Sequence, residues 1–189
     1  MTNQTNTVRI ISGSLRSRKI SFPANKAVRP TGDRVRETLF NWVQSEIDGA
    51  VCLDLFAGSG ALGIEALSRG AEEVVFVEAA KNIALALKEN LELLQLHSGK
   101  IYHHDALSWI EEFNTTKTFD IVFLDPPFDT DLAATSCMKL EQSNLLNSQC
   151  RIYLELASEI SELTLPENWK QIKEKKAGSV YFYLFVREV

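Results

Sequence analysis

The chain has no apolar run approaching the roughly 18 residues needed to cross a bilayer, which argues against a membrane protein. Cysteine is scarce: Cys52, Cys137 and Cys150 are odd in number and widely spaced. Neither a C-x-x-C pair nor a nearby histidine set accompanies them, so no metal is expected and a reduced compartment is the plain reading. The first residues, Met1 to Asn6, are polar and carry neither a basic nor an apolar leader segment, which makes the expected location the cytoplasm. Internal repeats and low-complexity tracts are also missing.

What is present is enough apolar material for one sizeable core. At 189 residues and 45% hydrophobic there is little room for a second. The net charge of −5 hides an asymmetry. Residues 1–36 hold eight basic side chains, Arg9, Arg16, Arg18, Lys19, Lys26, Arg29, Arg34 and Arg36, against the single acid Asp33, a balance of +7. The remainder holds 12 bases against 24 acids, a balance of −12. A basic arm on an acidic body suits a polyanionic partner. The expected division is a basic extension and helix over residues 1–48, packed on the core and holding that polyanion, followed by the main domain over 49–189.

From residue 51 onward, strand-length apolar runs alternate with segments of helical period, the pattern of parallel strands joined by crossover helices. The candidate strands are 51–56, 74–78, 100–105, 121–125, 151–156 and 180–186. Between the second and third, Ile83, Leu87, Leu91 and Leu94 form an amphipathic stripe that belongs to the core. The aromatic-rich run 180–186 follows the turn Ala177-Gly178-Ser179, which suits an antiparallel hairpin at the sheet edge. Upstream, 9–12 and 19–22 look like short strands around a turn at 13–18. Asp33 is the expected N-cap of a helix that puts Val35, Leu39, Val43 and Ile47 on one face. The fold class is therefore α/β, with a mostly parallel sheet, a C-terminal antiparallel hairpin strand and a small basic N-terminal extension.

Two segments carry chemistry. In the first, Asp54-Leu55-Phe56-Ala57-Gly58-Ser59-Gly60 leads from a strand through a glycine-rich turn into a helix, where the backbone can approach a ligand closely. Glycine spacing alone also suits nicotinamide dinucleotides. The acid before the turn separates the readings, because Asp54 can organise a loop for the cationic amino-acid end of S-adenosylmethionine, whereas a pyrophosphate prefers bare N–H groups. Glu78 stands 20 residues after Gly58, where an acid takes ribose hydroxyls. Asp105, followed by Ala106, stands at the next strand end and is the candidate acceptor for the adenine amine. The cofactor-binding candidates are thus Asp54, Phe56, Ala57, Gly58, Ser59, Gly60, Glu78, Asp105 and Ala106. His103 and His104 alternate across a strand and are read as structural.

The second segment ends an apolar strand in Asp125-Pro126-Pro127-Phe128. Two prolines remove two donors and stiffen the loop. Such a loop fits an amine on an aromatic base: the Asp125 carboxylate accepts one N–H, the Pro126 carbonyl the other, and Phe128 offers a stacking face. With an ordinary pKa near 3.9, Asp125 is expected to orient the amine and not to deprotonate it. The catalytic candidates are Asp125, Pro126, Pro127 and Phe128; the RNA-binding candidates are Arg9, Arg16, Arg18, Lys19, Arg29 and Arg34, with Arg36 assigned to a structural ion pair.

These motifs, in this order, resemble the bacterial enzymes that methylate guanine N2 in a loop of 16S ribosomal RNA. The resemblance runs from Val8-Arg9-Ile10-Ile11-Ser12-Gly13 to Gly178-Ser179-Val180-Tyr181, and its most specific piece is the segment from Arg29-Pro30-Thr31-Gly32-Asp33-Arg34 through Trp42. Two positions depart: Gly32, where members often carry Thr or Ser, and Ser17, where Gly is frequent. The resemblance implies a Rossmann-like, seven-stranded class I fold and 16S ribosomal RNA or the small subunit as partner; S-adenosylmethionine is the expected cofactor and a monomer the expected state. From the residues alone the reading stops at an amino-methyltransferase acting on a base. An adenine-N6 DNA methyltransferase remains open, although 189 residues leave no space for a target-recognition region. A nicotinamide-dependent oxidoreductase and a noncatalytic RNA-binding protein of the same fold are weaker alternatives.

Overall fold

The computed structural model describes residues 5–24, 31–113, 117–127, 131–160 and 163–189. Two antiparallel strands, β1 (Thr5–Arg9) and β2 (Lys19–Pro23), precede helix α1 (Asp33–Trp42). Then follow β3 (Val51–Asp54), α2 (Ala61–Ser68), β4 (Glu73–Glu78), α3 (Lys81–Leu93), β5 (Gly99–His103), α4 (Ala106–Glu112), β6 (Phe119–Leu124), α5 (Leu132–Gln142), β7 (Leu146–Leu156), β8 (Trp169–Ala177) and β9 (Val180–Arg187).

Seven strands form one sheet in the order β5-β4-β3-β6-β7-β9-β8. Strands β3 to β7 run parallel, while β9 is antiparallel to both β7 and β8. The inner parallel strands are apolar along their length because helices cover both faces. On one face Cys52, Phe76, Phe123 and Phe182 share a core with residues of α1, α2 and α3. On the other, Leu53, Val77, Val122 and Tyr183 share a core with residues of α4 and α5. The chain leaves β3 toward β4 in one direction and later returns to place β6 on the opposite side of β3. That reversal opens a crevice at the carboxyl ends of β3 and β6, where such sheets bind ligands.

The basic arm is built into the first core. Ile20 and Phe22 of β2 are buried, and Ser21 exchanges two hydrogen bonds with Asn90 of α3. The Glu65 carboxylate, fully buried in α2, accepts from the backbone N–H groups of Ile11 and Ser12 and pairs with Arg36 and Arg69. Those two backbone bonds take residues 11 and 12 out of the strand expected over 9–12, which runs instead over Thr5–Arg9. Arg36 is the structural ion-pair residue that its place in a helix predicted, only 1% exposed.

Asp33 is not the N-cap. Gly32 holds that position and offers no side chain to it, while Asp33 opens the helix and pairs with Arg36 and Arg9. The two departures in the arm have local consequences: Gly32 caps α1 without an oxygen, and Ser17 adopts φ 70, a left-handed conformation in which glycine meets no Cβ clash. The charged stretch before Gly178 is strand β8, the edge partner of β9; its polarity follows from exposure on both sides. All three cysteines are buried and free, and burial pushes their thiols up, that of Cys137 to about 12. Among the described residues no helix is long and apolar enough to cross a membrane, and no group of three His, Cys, Asp or Glu is set to hold a metal.

Candidate active site

The glycine loop after β3 is fixed from beneath by two acids. Asp54, 2% exposed, accepts at Oδ2 from the N–H of Gly63 in the first turn of α2 at 3.0 Å, satisfying one of the donors that a helix start leaves open. Burial raises its pKa to about 7, against the Gly63 bond and with help from the nearby Glu78 charge. Glu78 spans the loop: Oε2 accepts from Gly58 N–H at 2.8 Å and Oε1 from Ala80 N–H at 2.7 Å. Each oxygen retains a further lone-pair direction for a ligand hydroxyl.

Gly60 has φ 78, and a Cβ there would stand 2.3 Å from Leu87 Cδ1, so both conformation and space require glycine. Gly58 is also left-handed, at φ 52. The loop closes on itself through Gly60 N–H to the Ala57 carbonyl, and Ala57 N–H reaches the Val77 carbonyl. Ser59 is buried, and Phe56 packs on the second core. Asp105 caps α4, with Oδ1 accepting from the N–H and the hydroxyl of Ser108; those bonds hold its carboxyl below the usual range. Asp105 stands just past the carboxyl end of β5, beside Ala106, the first residue of α4. His103 and His104 hold separate carbonyls, those of Ala79 and Asp105, as structural residues would.

A bound S-adenosylmethionine fits this donor set. Asp54, Glu78 and Asp105 line the ends of three adjacent strands, and acids in that row match an ammonium, ribose hydroxyls and an aromatic amine. The same charge would repel a pyrophosphate.

Asp125 follows β6 on the other side of the crevice. Its Oδ2 accepts from the hydroxyl of Thr31, buried in the segment before α1, at 3.1 Å. Arg36 secures that segment by donating from Nε to the Thr31 carbonyl at 3.1 Å. Strands β6 and β7 pair Leu124 with Leu154, so Asp125 and Glu155 come one step later, side by side. Glu155 is 4% exposed and accepts from the Tyr153 hydroxyl at 2.8 Å. Desolvation and then the Glu155 charge push the Asp125 carboxyl well above the ordinary carboxylate range. This corrects the expectation of an ordinary, weakly basic Asp125. Pro126 is buried and Pro127 exposed, while Phe128 lies outside the described residues.

Thr31, Tyr153 and Glu155 were not among the sequence candidates. The signal was there in part: Tyr153 and Glu155 are two apart on an apolar strand and so share a face. Of the arm residues, Arg9, Arg16, Arg18, Lys19 and Arg34 are exposed, with Arg9 paired to Asp33, and Arg29 lies outside the described residues.

A family model described as "Conserved hypothetical protein 95" matches residues 8–186. The chain is 43% identical over 180 residues to ribosomal RNA small subunit methyltransferase D of Haemophilus influenzae, covering 94% of this chain and 93% of that protein. It is 41% identical over 181 residues to the protein of the same name from Escherichia coli K12, covering 96% and 90%. The chain belongs to this family. Among solved structures, an Escherichia coli protein assigned provisionally as a methyltransferase superposes with a TM-score of 0.88 at 39% identity, covering 97% of this chain and 99% of that one. The 16S rRNA N2 G1207 methyltransferase of Thermus thermophilus, solved with AdoMet and guanosine, shares the fold at a TM-score of 0.70 and 22% identity, over 98% of this chain and 50% of that one. The Rossmann-like class I methyltransferase fold expected from the sequence is the fold observed.

Proposed function

We propose that the chain transfers a methyl group from S-adenosylmethionine to the exocyclic N2 amine of a guanine in 16S ribosomal RNA, acting as a monomer in the cytoplasm. The observation that carries the reading is the placement of Asp125, fixed by Thr31 and backed by Glu155 next to rigid Pro126, across the crevice from the acid-lined glycine loop. Family membership supports the ribosomal substrate over adenine in DNA and over a hydride transfer.

The chain's residues divide the work as follows. Glu78 and Asp105 would hold the ribose and adenine ends of the cofactor, and Asp54 would hold the loop at its amino-acid end. When bound, the cofactor supplies an electrophilic methyl on a sulfonium. With Oδ2 engaged by Thr31, Oδ1 of Asp125 accepts one N–H of the guanine amine and the Pro126 carbonyl accepts the other. Gripping both N–H groups aims the nitrogen lone pair, which conjugation with the ring otherwise weakens as a nucleophile. The raised pKa of Asp125 makes its carboxylate a competent acceptor for the proton that the methylated nitrogen sheds. Guanine N2 reaches such a recess only from a loop or an extruded nucleotide, so the flanking backbone must be held, a task assigned to Arg9, Arg16, Arg18, Lys19, Arg29 and Arg34.

The test is incubation with labelled S-adenosylmethionine and small-subunit RNA or subunits from a strain lacking the enzyme, followed by nucleoside mass spectrometry. N2-methylguanosine is the expected product, absent with Asp125→Ala. Label on adenine, or none with either substrate, would overturn the reading.

A further inference from the structure

The part of the arm before α1, residues 5–24, covers only one flank of the crevice. It packs on α2 and α3, above the β3-β4-β5 side of the sheet. Helix α1 lies on the same face on the other side, where Phe40 meets Phe123 of β6 and Trp42 meets Phe182 of β9 at 5.3 Å. Beyond it is the open edge, strand β8, with Lys170, Lys173, Lys175 and Lys176 against the single acid Glu174.

The register shows where these charges go. Ile172 is skipped between the pairs Gln171↔Phe185 and Lys173↔Leu184, a bulge of one residue. A bulge re-aims every side chain after it. Lys173 and Lys175 pair with Leu184 and Phe182, which belong to the core on the face that carries α1; side chains of paired residues share a face. Glu174 pairs with Tyr183, which belongs to the opposite core. The shift thus puts the two lysines on the Asp125 side and the acid on the other.

Lys175, Phe182 and Glu155 lie in one row across β8, β9 and β7, and Asp125 stands beside Glu155 at the end of β6. Three strand intervals of about 4.8 Å put Lys175 about 14 Å from Asp125 at the level of the backbone. Lys170 pairs with Glu188, and Lys176 bonds Tyr181. Among the described residues, Lys173 and Lys175 make no ion pair, and both are exposed.

We propose that Lys173 and Lys175 form a second contact for the RNA phosphate backbone, on the flank opposite the arm, so that the nucleotides on either side of the target base are held while the base enters between them. This rests on the RNA-methylating reading above. Phosphate is the occupant because the two lysines present uncompensated positive charge from an otherwise acidic body, at the end of the sheet where the base must arrive. Edge lysines also discourage strands of other chains from pairing. That role needs no particular face, whereas the bulge selects one.

The experiment measures binding of a labelled small-subunit RNA transcript to the full chain between about 50 and 200 mM salt, with methylation assayed in parallel. The double variant Lys173→Gln, Lys175→Gln is expected to flatten the log–log salt slope by about one to two units and to raise Kd several-fold at low salt, with S-adenosylmethionine affinity and melting temperature unchanged. Lys173→Arg with Lys175→Arg should keep the wild-type slope. A control with the same loss of charge, Lys100→Gln with Lys117→Gln around Glu73 at the amino end of the sheet, should also keep it. A wild-type slope in the glutamine variant, an equal loss in the control, or a variant whose only change is self-association would overturn the proposal while wild-type methylation stands. A wild-type chain that neither binds nor methylates the transcript or the subunit would overturn the RNA reading, and this proposal with it.

Discussion

Thr31 and Asp125 stand 94 residues apart in the chain and meet at 3.1 Å, joining the segment that introduces α1 to the loop that ends β6. The hydroxyl fixes one carboxylate oxygen and so, in the proposed mechanism, decides which oxygen faces the substrate amine. Thr31→Val, close in shape, should therefore lower turnover about ten- to hundredfold, the effect of losing a hydrogen bond to a charged group of about 1.5–3 kcal/mol. Cofactor affinity by titration calorimetry should stay near that of the wild type. Full turnover in a folded Thr31→Val protein would detach Thr31 from the chemistry.

Glu155 acts on Asp125 through charge. It raises the Asp125 carboxyl, second only to burial, and the Tyr153 hydroxyl holds it in place. In the proposed mechanism turnover needs ionised Asp125, so it should fall as the pH drops through its raised pKa. Removing the neighbouring charge lowers that pKa, so in Glu155→Gln the acid limb of the pH–rate profile should move to lower pH. An acid limb in the same place for both proteins would show that the coupling has no part in catalysis.

How much of this was legible in the sequence depended on separation along the chain. The glycine loop, Asp54 and Asp125 are local features: each sits at the end of an apolar run with its turn residues beside it, and periodicity was enough to place them. Thr31 is a small polar residue whose role is set by a partner 94 positions away, and Glu155 matters only because β6 and β7 align Leu124 with Leu154. Pairing register is a tertiary fact with no local code. The same holds for β8, a charged stretch that becomes a strand only because β9 supplies a partner, and for Asp33, where cap propensity favoured Asp but ion pairs with Arg36 and Arg9 drew its carboxylate elsewhere.

Asp54 is expected to make cofactor binding depend on pH. Its folded-state pKa of about 7 lies above the ordinary value of about 3.9, so between the two the folded chain binds more protons than the unfolded one. Its contribution to stability therefore declines as pH rises through that window. Binding of a cationic ligand favours the ionised carboxylate, so affinity for S-adenosylmethionine should increase from about pH 5.5 to 7.5. Asp54→Asn can still accept from Gly63 N–H through its amide oxygen, so the loop should persist while this pH dependence flattens. Calorimetric titrations at several pH values measure it, and an equally steep dependence in Asp54→Asn would assign the proton to another group.

Two substitutions should stabilise the arm without touching the chemistry. Ser17 holds φ 70, where an L side chain crowds the backbone by about 1–2 kcal/mol and glycine does not. Gly32 caps α1 with φ −61 and ψ 152, extended values that Ser adopts freely, and a Cβ there would meet nothing within 4 Å. A serine hydroxyl at that position can accept from an open N–H in the first turn of α1, a gain of a few tenths of a kcal/mol over glycine. Ser17→Gly is thus expected to add about 1 kcal/mol, less the extra freedom that glycine gives the unfolded chain, and Gly32→Ser a smaller amount. The sites lie on separate elements, with Ser17 in the turn after β1 and Gly32 before α1, so the gains should add in the double variant. For a chain of this length, 1 kcal/mol corresponds to a rise of about 2–4 °C in melting temperature. The measurement is thermal unfolding of the two single variants and the double, with methylation rates unchanged. A lower melting temperature for Ser17→Gly would mean that the freedom glycine gives the unfolded chain, or a contact of the serine, outweighs the backbone strain.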